Sequence, residues 1–342
     1  MNLLELTYAQ LLAQFQRRYA RGAFHAAALY RAFYTQTDCD PARLQAFAAS
    51  PELAQRVRDD LETQRPRIVD RRSQEDVTKL LFRLADGLAV ETVVVPMTHH
   101  TTVCVSCQVG CAMGCRLCET GRMGLRRSLT ASEIVAQVHA VKLDLGFPVR
   151  NVVFMGMGEP LDNFDAVIQA IRVLEDQRGL SIAKRRITVS TCGRVDGIRR
   201  LAALDWPQLK LAVSLNAADD ETRAFLMPIN RRFDLATLKQ ALQDYPLARG
   251  NVLLMEYVVI GGVNDRVADA QRLATYLAGL PARLNLIAYN PRRESPFAAP
   301  SPESLQRFHQ ALVERKIFVR LRRSKGAGIR AACGQLGAAI NL

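Results

Sequence analysis

The sequence of 342 residues contains no long hydrophobic run. A membrane-spanning helix needs about 18 or more consecutive apolar residues with few charges, and no segment meets that requirement. The first residues, MNLLELTYAQLLAQFQRRYARG, carry early charges and have no small-residue cleavage site, unlike a secretory signal peptide. These absences predict a soluble, cytoplasmic protein that has no membrane partner.

The chain also lacks the cysteine distribution of an extracellular protein held together by disulfides. Its eight cysteines are clustered in a long chain, whereas disulfide frameworks are typical of short secreted domains. Metal binding or redox chemistry is therefore the better interpretation. Hydrophobic residues make up 49% of the chain, and its length fits one large α/β domain of roughly 200–250 residues plus a smaller one.

The cysteine motif of the chain supplies three metal ligands and lacks a fourth. Five cysteines fall between residues 104 and 118, and the last three, Cys111, Cys115 and Cys118, have C-x3-C-x2-C spacing. Structural zinc sites take four ligands, and iron–sulfur clusters ordinarily take four cysteines. A cluster with three would leave one iron open to a small molecule. A zinc site completed by Cys104 or Cys107 is the alternative.

Negative charge is scarce in the later part of the chain. Residues 1–96 hold 13 Lys and Arg against 12 Asp and Glu, which leaves 33 against 21 for residues 97–342. Arg dominates the excess, and its guanidinium group suits bidentate phosphate contacts. A solvated surface would explain any single basic run, but together the runs favour a polyanionic partner. They are Lys184-Arg185-Arg186, Arg199-Arg200, Arg231-Arg232, Arg292-Arg293 and Arg320-Leu-Arg322-Arg323-Ser-Lys325.

The first hundred residues change from a helical to a β pattern. Residues 1 to about 70 have helical periodicity, as in Leu11 and Phe15. Two β-like stretches follow, Lys79–Leu84 and Val90–Val95, and the intervening Asp86-Gly87 indicates a hairpin. We therefore predict a helical accessory domain over residues 1–72, a β-hairpin connector over 73–96, and a core over 97–342.

From residue 101 onward, strand-like and helix-like segments alternate. Apolar runs predict strands at Thr101–Cys107, Asn151–Met157, Arg186–Thr191, Leu209–Leu215, Val252–Ile260, Leu284–Tyr289 and Phe318–Arg323. Helical patterns cover Thr130–Leu145, Phe164–Glu175, Leu235–Leu242, Arg266–Leu280 and Pro302–Glu314. Repeated βα units predict a parallel sheet, open or curled into a barrel, with catalytic groups at the carboxyl ends of its strands.

Short motifs follow one another in this region in a characteristic order. After the cysteine segment come Gly156-Met-Gly-Glu-Pro160, Val189-Ser-Thr-Cys-Gly193, Val213-Ser-Leu-Asn216, Asn264-Asp265, Ile287-Ala-Tyr-Asn-Pro291 and Ala331-Ala-Cys-Gly-Gln-Leu336. Together they resemble the RlmN/Cfr family of radical S-adenosylmethionine (SAM) RNA methyltransferases, over roughly residues 75 to 340. The resemblance implies an α/β fold with a partial (βα)6 TIM-like barrel, a 4Fe-4S cluster, and methylation of an adenine in RNA.

The resemblance also implies which residues bind the cofactors. Cys111, Cys115 and Cys118 would ligate three irons, and SAM would bind the fourth. Glycines let a backbone approach a ligand closely, and a carboxylate accepts hydrogen bonds from a cationic amine. Taken singly, the short polar residues at strand ends would be caps or turn formers. The implied SAM contacts are Gly158, Glu159, Ser190, Ser214, Leu215, Asn216 and Asn290.

Three further residues take part in the implied mechanism, which uses two SAM molecules per turnover because an adenine ring carbon is not nucleophilic. Cys333 would take a methyl group from one SAM. A radical generated from the second would remove a hydrogen from that S-methyl group, and the resulting methylene radical would add to adenine. Glu91 would then accept the ring proton. Cys104 would attack the sulfur of Cys333, releasing the RNA and forming a transient disulfide.

Two cysteines depart from the family pattern. Cys107 and Cys192 occupy positions where a small hydroxyl residue is common, and we interpret both as packing substitutions, because cysteine behaves as a small apolar side chain when buried. A second cluster built on Cys104 and Cys107 is the alternative.

The sequence leaves the substrate open. The amino-terminal region matches the family only loosely and is nearly neutral. Carbon 2 of adenine is favoured over carbon 8, and large-subunit rRNA is the expected substrate, with tRNA as a second one. A flavodoxin or ferredoxin is the implied reductant. Two alternatives from other classes are a radical SAM enzyme that acts on a peptide or small molecule, and a zinc-stabilised RNA-binding protein without catalysis.

Overall fold

One large sheet runs through the molecule. The structure is a computed structural model that describes residues 1–36, 39–62, 64–291, 295–322 and 326–337. In those residues the sheet has ten strands, and a separate ribbon has two. No helix in the described part of the chain is long and apolar enough to cross a membrane. The predicted basic segments at Arg292-Arg293 and Arg323–Lys325 lie outside the described residues.

Three helices form the amino-terminal region, as its periodicity predicts. They are α1 (Tyr8–Tyr19), α2 (Ala23–Thr35) and α3 (Pro51–Asp60). The hydroxyl of Thr7 caps α1 by accepting a hydrogen bond from the Gln10 amide, which satisfies a donor that the first turn leaves unpaired. Apolar side chains such as Leu11 and Phe15 are fully buried.

An antiparallel meander links these helices to the rest of the sheet. Its strands are β1 (Arg67–Gln74), β2 (Val77–Arg83), β3 (Ala89–Met97) and β4 (His100–Cys104). The hairpin predicted around Asp86-Gly87 is the β2–β3 pair. The sequence did not predict β1, which crosses the proposed boundary at residue 72. Its residues are mostly polar and exposed, so they lack the alternation that marks a half-buried strand.

Six strands follow β4 in parallel, and each pairs with the next one along the chain. They are β7 (Val149–Phe154), β8 (Ile187–Thr191), β9 (Lys210–Ser214), β10 (Leu253–Val259), β11 (Ala282–Ala288) and β12 (Val319–Arg322). All seven predicted strands are therefore present. The one that differs most is Thr101–Cys107, because its last three residues leave the sheet after Cys104 and lead into a ribbon of β5 (Gln108–Gly110) and β6 (Leu125–Ser128).

Helices connect the parallel strands. They are α4 (Glu119–Arg122), α5 (Ala131–His139), α6 (Phe164–Glu175), α7 (Val195–Ala202), α8 (Asp220–Leu226), α9 (Leu235–Gln243), α10 (Val267–Leu277) and α11 (Pro302–Glu314). A capping box of Thr130 and Glu133 begins α5. The short helices α7 and α8 were not predicted, because each has only about two turns and neither has a long apolar stripe.

The strand order determines on which face of the sheet the connecting helices lie. Right-handed crossovers between consecutive neighbours place every connecting helix on the same face of the sheet, as in a barrel rather than a doubly wound fold. On that helix-covered face the strand residues are apolar and buried: Val103, Val152, Phe154, Val189, Leu211, Val213, Met255, Tyr257, Leu284 and Leu286. The opposite face, called here the inner face, carries Cys104, Val153, Ser190, Ser214, Glu256 and Asn285. The structure thus confirms the predicted α/β fold, in which repeated βα units build a parallel sheet.

Candidate active site

The sequence-predicted site residues gather at the carboxyl ends of the parallel strands. Cys104 is the last residue of β4, Ser190 lies in β8, and Ser214 ends β9. The turn of Gly158 and Glu159 follows β7, and Asn290 follows β11. Glu91 lies in the antiparallel strand β3 and reaches the same edge, because its neighbour Val93 pairs with Cys104. Residues distant in sequence are thus brought to one edge.

The cysteine loop between β5 and α4 is tightly folded. A Cβ atom on Gly110 would lie 1.8 Å from the carbonyl oxygen of Gly124, and one on Gly121 would lie 2.8 Å from the carbonyl oxygen of Cys115. Side chains larger than hydrogen therefore do not fit at either position. The loop is held in a shape that brings the thiols of Cys111 and Cys118 close enough to influence each other electrostatically.

Two of the loop thiols, Cys111 and Cys115, have raised pKa values. Burial raises the pKa of Cys111 to about 12, and burial followed by the neighbouring Cys118 raises that of Cys115. Iron binds thiolates, so cluster assembly must release these protons. No three His, Cys, Asp or Glu side chains among the described residues converge to hold a single metal ion. An iron–sulfur cluster is a different arrangement, because each of the three loop thiols would bind a different iron. Thiolates are the donors that such a cluster takes.

The Gly-Met-Gly-Glu motif packs against the segment that leads into the cysteine loop. A Cβ atom on Gly156 would lie 2.6 Å from the carbonyl oxygen of Val105, and one on Gly158, which has φ of +102°, would lie 2.6 Å from the Cβ atom of Gln108. Both glycines are needed for backbone packing before any ligand is considered. The Glu159 amide donates a hydrogen bond of 2.9 Å to the side-chain oxygen of Gln108, which adds to this contact.

Glu159 is a buried carboxylate that connects two strand ends. It is 4% exposed and accepts hydrogen bonds from the amides of Cys192, at 2.8 Å, and Leu161, at 3.1 Å. Burial raises its pKa, against the effect of these donors. The carboxylate therefore holds two strand ends together through hydrogen bonds. Its remaining lone pairs can accept hydrogen bonds from a cationic ligand.

The residues at the end of β9 differ in which of their groups already have hydrogen-bond partners. Ser214 is half-buried on the inner face. Leu215 has a fully buried side chain, its amide donates to the carbonyl of Glu256, and its own carbonyl accepts from Arg223. Asn216 adopts φ of +58°, and its side-chain oxygen accepts from the Val258 amide at 3.0 Å. Leu215 and Asn216 thus hold the strand end in place.

Arg223 is a site residue that the sequence analysis missed. It lies on α8, is fully buried, and donates to the carbonyls of Cys192 at 2.7 Å and Leu215 at 3.1 Å and to the side chain of Asn230 at 2.7 Å. Burial lowers its pKa, and the nearby thiols of Cys192 and Cys115 oppose that effect. A buried cation beside the cysteine loop matches the negative charge that thiolate ligation would bring there.

Glu256 was also missed, because a single Glu in an apolar run resembles an exposed strand residue. It is 7% exposed on the inner face and accepts a 2.7 Å hydrogen bond from Asn285. Burial raises its pKa. It lies close enough to the Cys333 thiol to raise the pKa of that group in turn. The inner face therefore carries a carboxylate opposite the carboxyl-terminal cysteine.

Cys333 and Cys104 approach each other although more than 200 residues separate them in sequence. Solvent reaches the side chain of Cys333, Cys104 is half-buried, and neither forms a disulfide. Burial raises the pKa of Cys104 to about 12, with the neighbouring Cys333 as the second cause. The pKa of Cys333 is raised by the surrounding protein first and by Glu256 second. Both cysteines are thus free thiols, and Cys333 influences the pKa of Cys104.

Backbone contacts fix the segment that carries Cys333. The Glu119 amide donates to the carbonyl of Gly334 at 2.8 Å, and the Thr120 hydroxyl donates to the carbonyl of Leu336 at 2.7 Å. The segment is thereby attached to α4, directly after the cysteine loop. Cys107 and Cys192 are 2% and 8% exposed, as expected for residues that pack rather than react.

Glu91 is fully buried, in contrast to a typical Glu in a hairpin strand. Its carboxylate meets the ammonium group of Lys79, with 2.9 Å between Nζ and Oε1, and accepts a 2.6 Å hydrogen bond from the Gly337 amide. The structure therefore joins Glu91 to the same segment that carries Cys333. The pairing with Lys79 carried no sequence signal, because lysine in a strand is ordinarily exposed.

Comparisons with known proteins agree with this geometry. The Radical SAM superfamily model matches residues 105–274. The dual-specificity RNA methyltransferase RlmN of Geobacter sulfurreducens is 46% identical over 297 residues, 85% of this chain and 81% of that protein. The protein of the same name from Anaeromyxobacter dehalogenans is 46% identical over 280 residues, 80% of this chain and 75% of that protein. A radical SAM methyltransferase crystal structure from Sphaerobacter thermophilus has a TM-score of 0.90 and 41% identity, covering 99% of each chain. The chain therefore belongs to the RlmN family of radical SAM RNA methyltransferases.

Proposed function

We propose that this protein methylates carbon 2 of an adenine in RNA, through an S-methylcysteine at Cys333 and a transient disulfide with Cys104. Family membership makes it a radical SAM RNA methyltransferase, and the ring carbon and the intermediates are the proposal. The observation that carries it is the juxtaposition of two free thiols with the segment that also contacts the buried carboxylate of Glu91.

The family implies an iron–sulfur cluster and SAM. We assign a 4Fe-4S cluster to Cys111, Cys115 and Cys118, and we expect two SAM molecules per turnover. The bound cluster supplies the electron that cleaves SAM to a radical. Buried Arg223 offsets the negative charge of the ligating thiolates. The proposed SAM contacts at strand ends are Gly158, Glu159, Ser190, Ser214, Leu215, Asn216 and Asn290, with Leu215 and Asn216 acting mainly through their backbone positions.

Cys333 suits a methyl carrier because solvent, and therefore RNA, reaches its side chain. Cys104 suits the resolving thiol because it is less exposed and close to Cys333. Raised pKa values keep both groups as thiols, so each must lose a proton when it acts. During resolution a Cys104–Cys333 bond forms between the sulfurs, and the bond from sulfur to the RNA-linked carbon breaks with its electron pair on carbon, which takes up a proton to complete the methyl group.

We propose large-subunit rRNA as the substrate and tRNA as a second one. The relatives are named dual-specificity RNA methyltransferases, and the excess of basic residues after residue 96 supports a polyanionic partner. We further propose a flavodoxin- or ferredoxin-type reductant. Arg116 lies inside the cysteine loop with its guanidinium 4.5 Å from the ring of Phe225, and both side chains are exposed. They offer a cationic contact to an acidic electron carrier.

Mass spectrometry of nucleosides tests the product. RNA from cells that lack the protein should have no 2-methyladenosine at the target, and expression of the wild type should restore it. Cys333→Ala should abolish the product, whereas Cys39→Ala, a matched change in the amino-terminal region, should retain it. Methylation at carbon 8 would correct the ring position, and the absence of any modified adenosine would refute RNA methylation by this chain.

Trapping of an adduct tests the residue roles. Glu91→Gln and Cys104→Ala each remove a group needed after RNA has become attached, so both variants should accumulate a protein–RNA species on a denaturing gel. Normal turnover without an adduct in both variants would remove these two assignments.

A further inference from the structure

Lys79 is a buried lysine whose ammonium group has a specific set of partners. It is 5% exposed, although it lies in a strand near the edge of the sheet. Its Nζ atom lies 2.9 Å from Oε1 of Glu91 and donates to the carbonyl oxygen of Arg330 at 3.3 Å. Removing a lysine from water is unfavourable unless a partner compensates its charge, so this burial requires a reason.

The strand register explains how the two charges meet. Lys79 pairs with Val93, and Leu81 pairs with Glu91, across the β2–β3 hairpin. Lys79 and Glu91 are therefore diagonal neighbours on the inner face, a separation that long side chains bridge. The pair lies at the level of Cys104, which also pairs with Val93, on β4.

Both members of the pair also contact the carboxyl-terminal segment. Lys79 binds the carbonyl of Arg330, and the amide of Gly337 donates to Oε2 of Glu91 at 2.6 Å. These contacts lie on either side of Cys333. The amide of Gly337 cannot be replaced by that of a larger residue without strain, because its φ is +106° and a Cβ atom would lie 2.4 Å from the sulfur of Met123.

Among the described residues, the other contacts of Glu91 involve its backbone. The amide of Glu91 faces the sulfur of Met157, and its carbonyl accepts from the hydroxyl of Ser106 at 2.6 Å. In the described part of the chain, Lys79 is the one cation within 4.0 Å of the carboxylate. Lys79 is therefore the described cation that can compensate an ionised Glu91 carboxylate.

We propose that Lys79 is a positioning residue that holds Glu91 as an anion, directed toward the Cys333 segment, so that Glu91 can accept the adenine ring proton. This inference rests on the proposed function. The proton passes from the ring carbon to a carboxylate oxygen of Glu91, and the electron pair of the broken C–H bond stays in the adenine ring. The unpaired electron left by radical addition would return to the iron–sulfur cluster that the family implies. When RNA displaces the Gly337 amide from Oε2, the ammonium of Lys79 remains on Oε1.

The test measures how fast the protein–RNA adduct of reconstituted holoenzyme resolves as a function of pH. Without its cation, the Glu91 carboxylate is protonated at higher pH, and only the anion accepts a proton. Lys79→Met should therefore slow release by up to about 100-fold near neutral pH, the lower end of what general-base catalysis contributes. The pH of half-maximal release should move upward. Lys79→Arg keeps the charge and should restore the wild-type profile to within a few-fold.

Two further variants make each outcome decisive. Lys142→Met removes another partly buried lysine that donates to a backbone carbonyl, that of Leu180 at 2.6 Å, and should leave the profile unchanged. If Lys79→Met does not fold, Lys79→Gln retains a hydrogen-bond donor without the charge and should give the same upward shift. A profile in either folded variant that coincides with the wild type would overturn the role of Lys79, and so would a slower rate with no shift in pH. If Glu91→Gln itself traps no adduct, the proposed role of Glu91 fails instead.

Discussion

The two faces of the parallel sheet differ in their side chains, which are apolar and buried on one face and partly polar on the other. Residues of the two faces nevertheless alternate along the same strands. On the helix-covered face, Val152 and Phe154 are 0% and 1% exposed. On the inner face, Val153 is half-buried beside Cys104, and the neighbouring strands contribute Ser190 and Glu256. A strand places successive side chains on opposite faces, so one sequence segment can provide a packed core and a reactive surface together. Substitutions on the first face should affect folding, and those on the second should affect binding and chemistry.

The largest effect on stability should come from Phe154→Ala. Its ring is almost completely buried at the end of β7, and truncation of a buried Phe costs about 3–5 kcal/mol because a cavity remains. Denaturant unfolding of the metal-free protein measures this loss. A cost below about 1 kcal/mol would contradict the division between the two faces.

A matched pair of neighbours sharpens the comparison. Val152→Ala and Val153→Ala delete the same two methyl groups one residue apart, the first on the helix-covered face and the second on the inner face. We expect a loss of about 2 kcal/mol for Val152→Ala and about 0.5 kcal/mol for Val153→Ala, because only the first leaves a sealed cavity. Equal losses would show that the inner face is packed as tightly as the core.

Substitution of Glu256 should increase the stability of the folded protein, whereas the truncations above decrease it. Its pKa is raised by burial, so the folded protein binds this proton more tightly than the unfolded chain. The carboxyl group therefore favours folding least above the ordinary Glu value of 4.5, where it is charged, and its contribution improves as the pH falls through that range. Glu256→Gln should increase stability near pH 7 and flatten the pH dependence. Unfolding curves at several pH values check this, and a destabilised variant at pH 7 would contradict it.

The smallest effect on stability should come from Ser190→Ala. The side chain is half-buried on the inner face, so its loss should change the free energy of unfolding by less than about 0.5 kcal/mol. SAM affinity should fall several-fold if the hydroxyl contacts the cofactor, as proposed. Equilibrium binding of SAM to the reconstituted protein measures this, and an unchanged dissociation constant would remove Ser190 from the set of contacts.

The same division explains how much could be predicted from the sequence. Apolar runs identified most of the parallel strands, because both faces of their central residues are largely shielded, whereas β12 is mostly exposed. The strand β1 was missed because its exposed, polar residues have no buried face to impose a pattern. The loop cysteines and strand-end residues carry motif spacings, and their family resemblance located them.

The remaining site residues act through contacts between distant segments. Lys79 meets Glu91 across a hairpin and Arg330 from the opposite end of the chain. Arg223 contacts carbonyls at the ends of two strands, and Glu256 faces Cys333. Each is a single charged residue in a locally ordinary segment. Their burial depends on tertiary packing, which a local pattern does not encode.

Peptide mapping of the trapped complex tests the central claim most directly. Cys104→Ala holoenzyme, incubated with RNA substrate and SAM and then digested with protease and nuclease, should yield the peptide that contains Cys333 with an adenosine nucleotide attached through a methylene bridge to sulfur. The account predicts this modification at Cys333 and at no other cysteine. RNA that is methylated normally by this variant, with the Cys333 peptide unmodified, would contradict it.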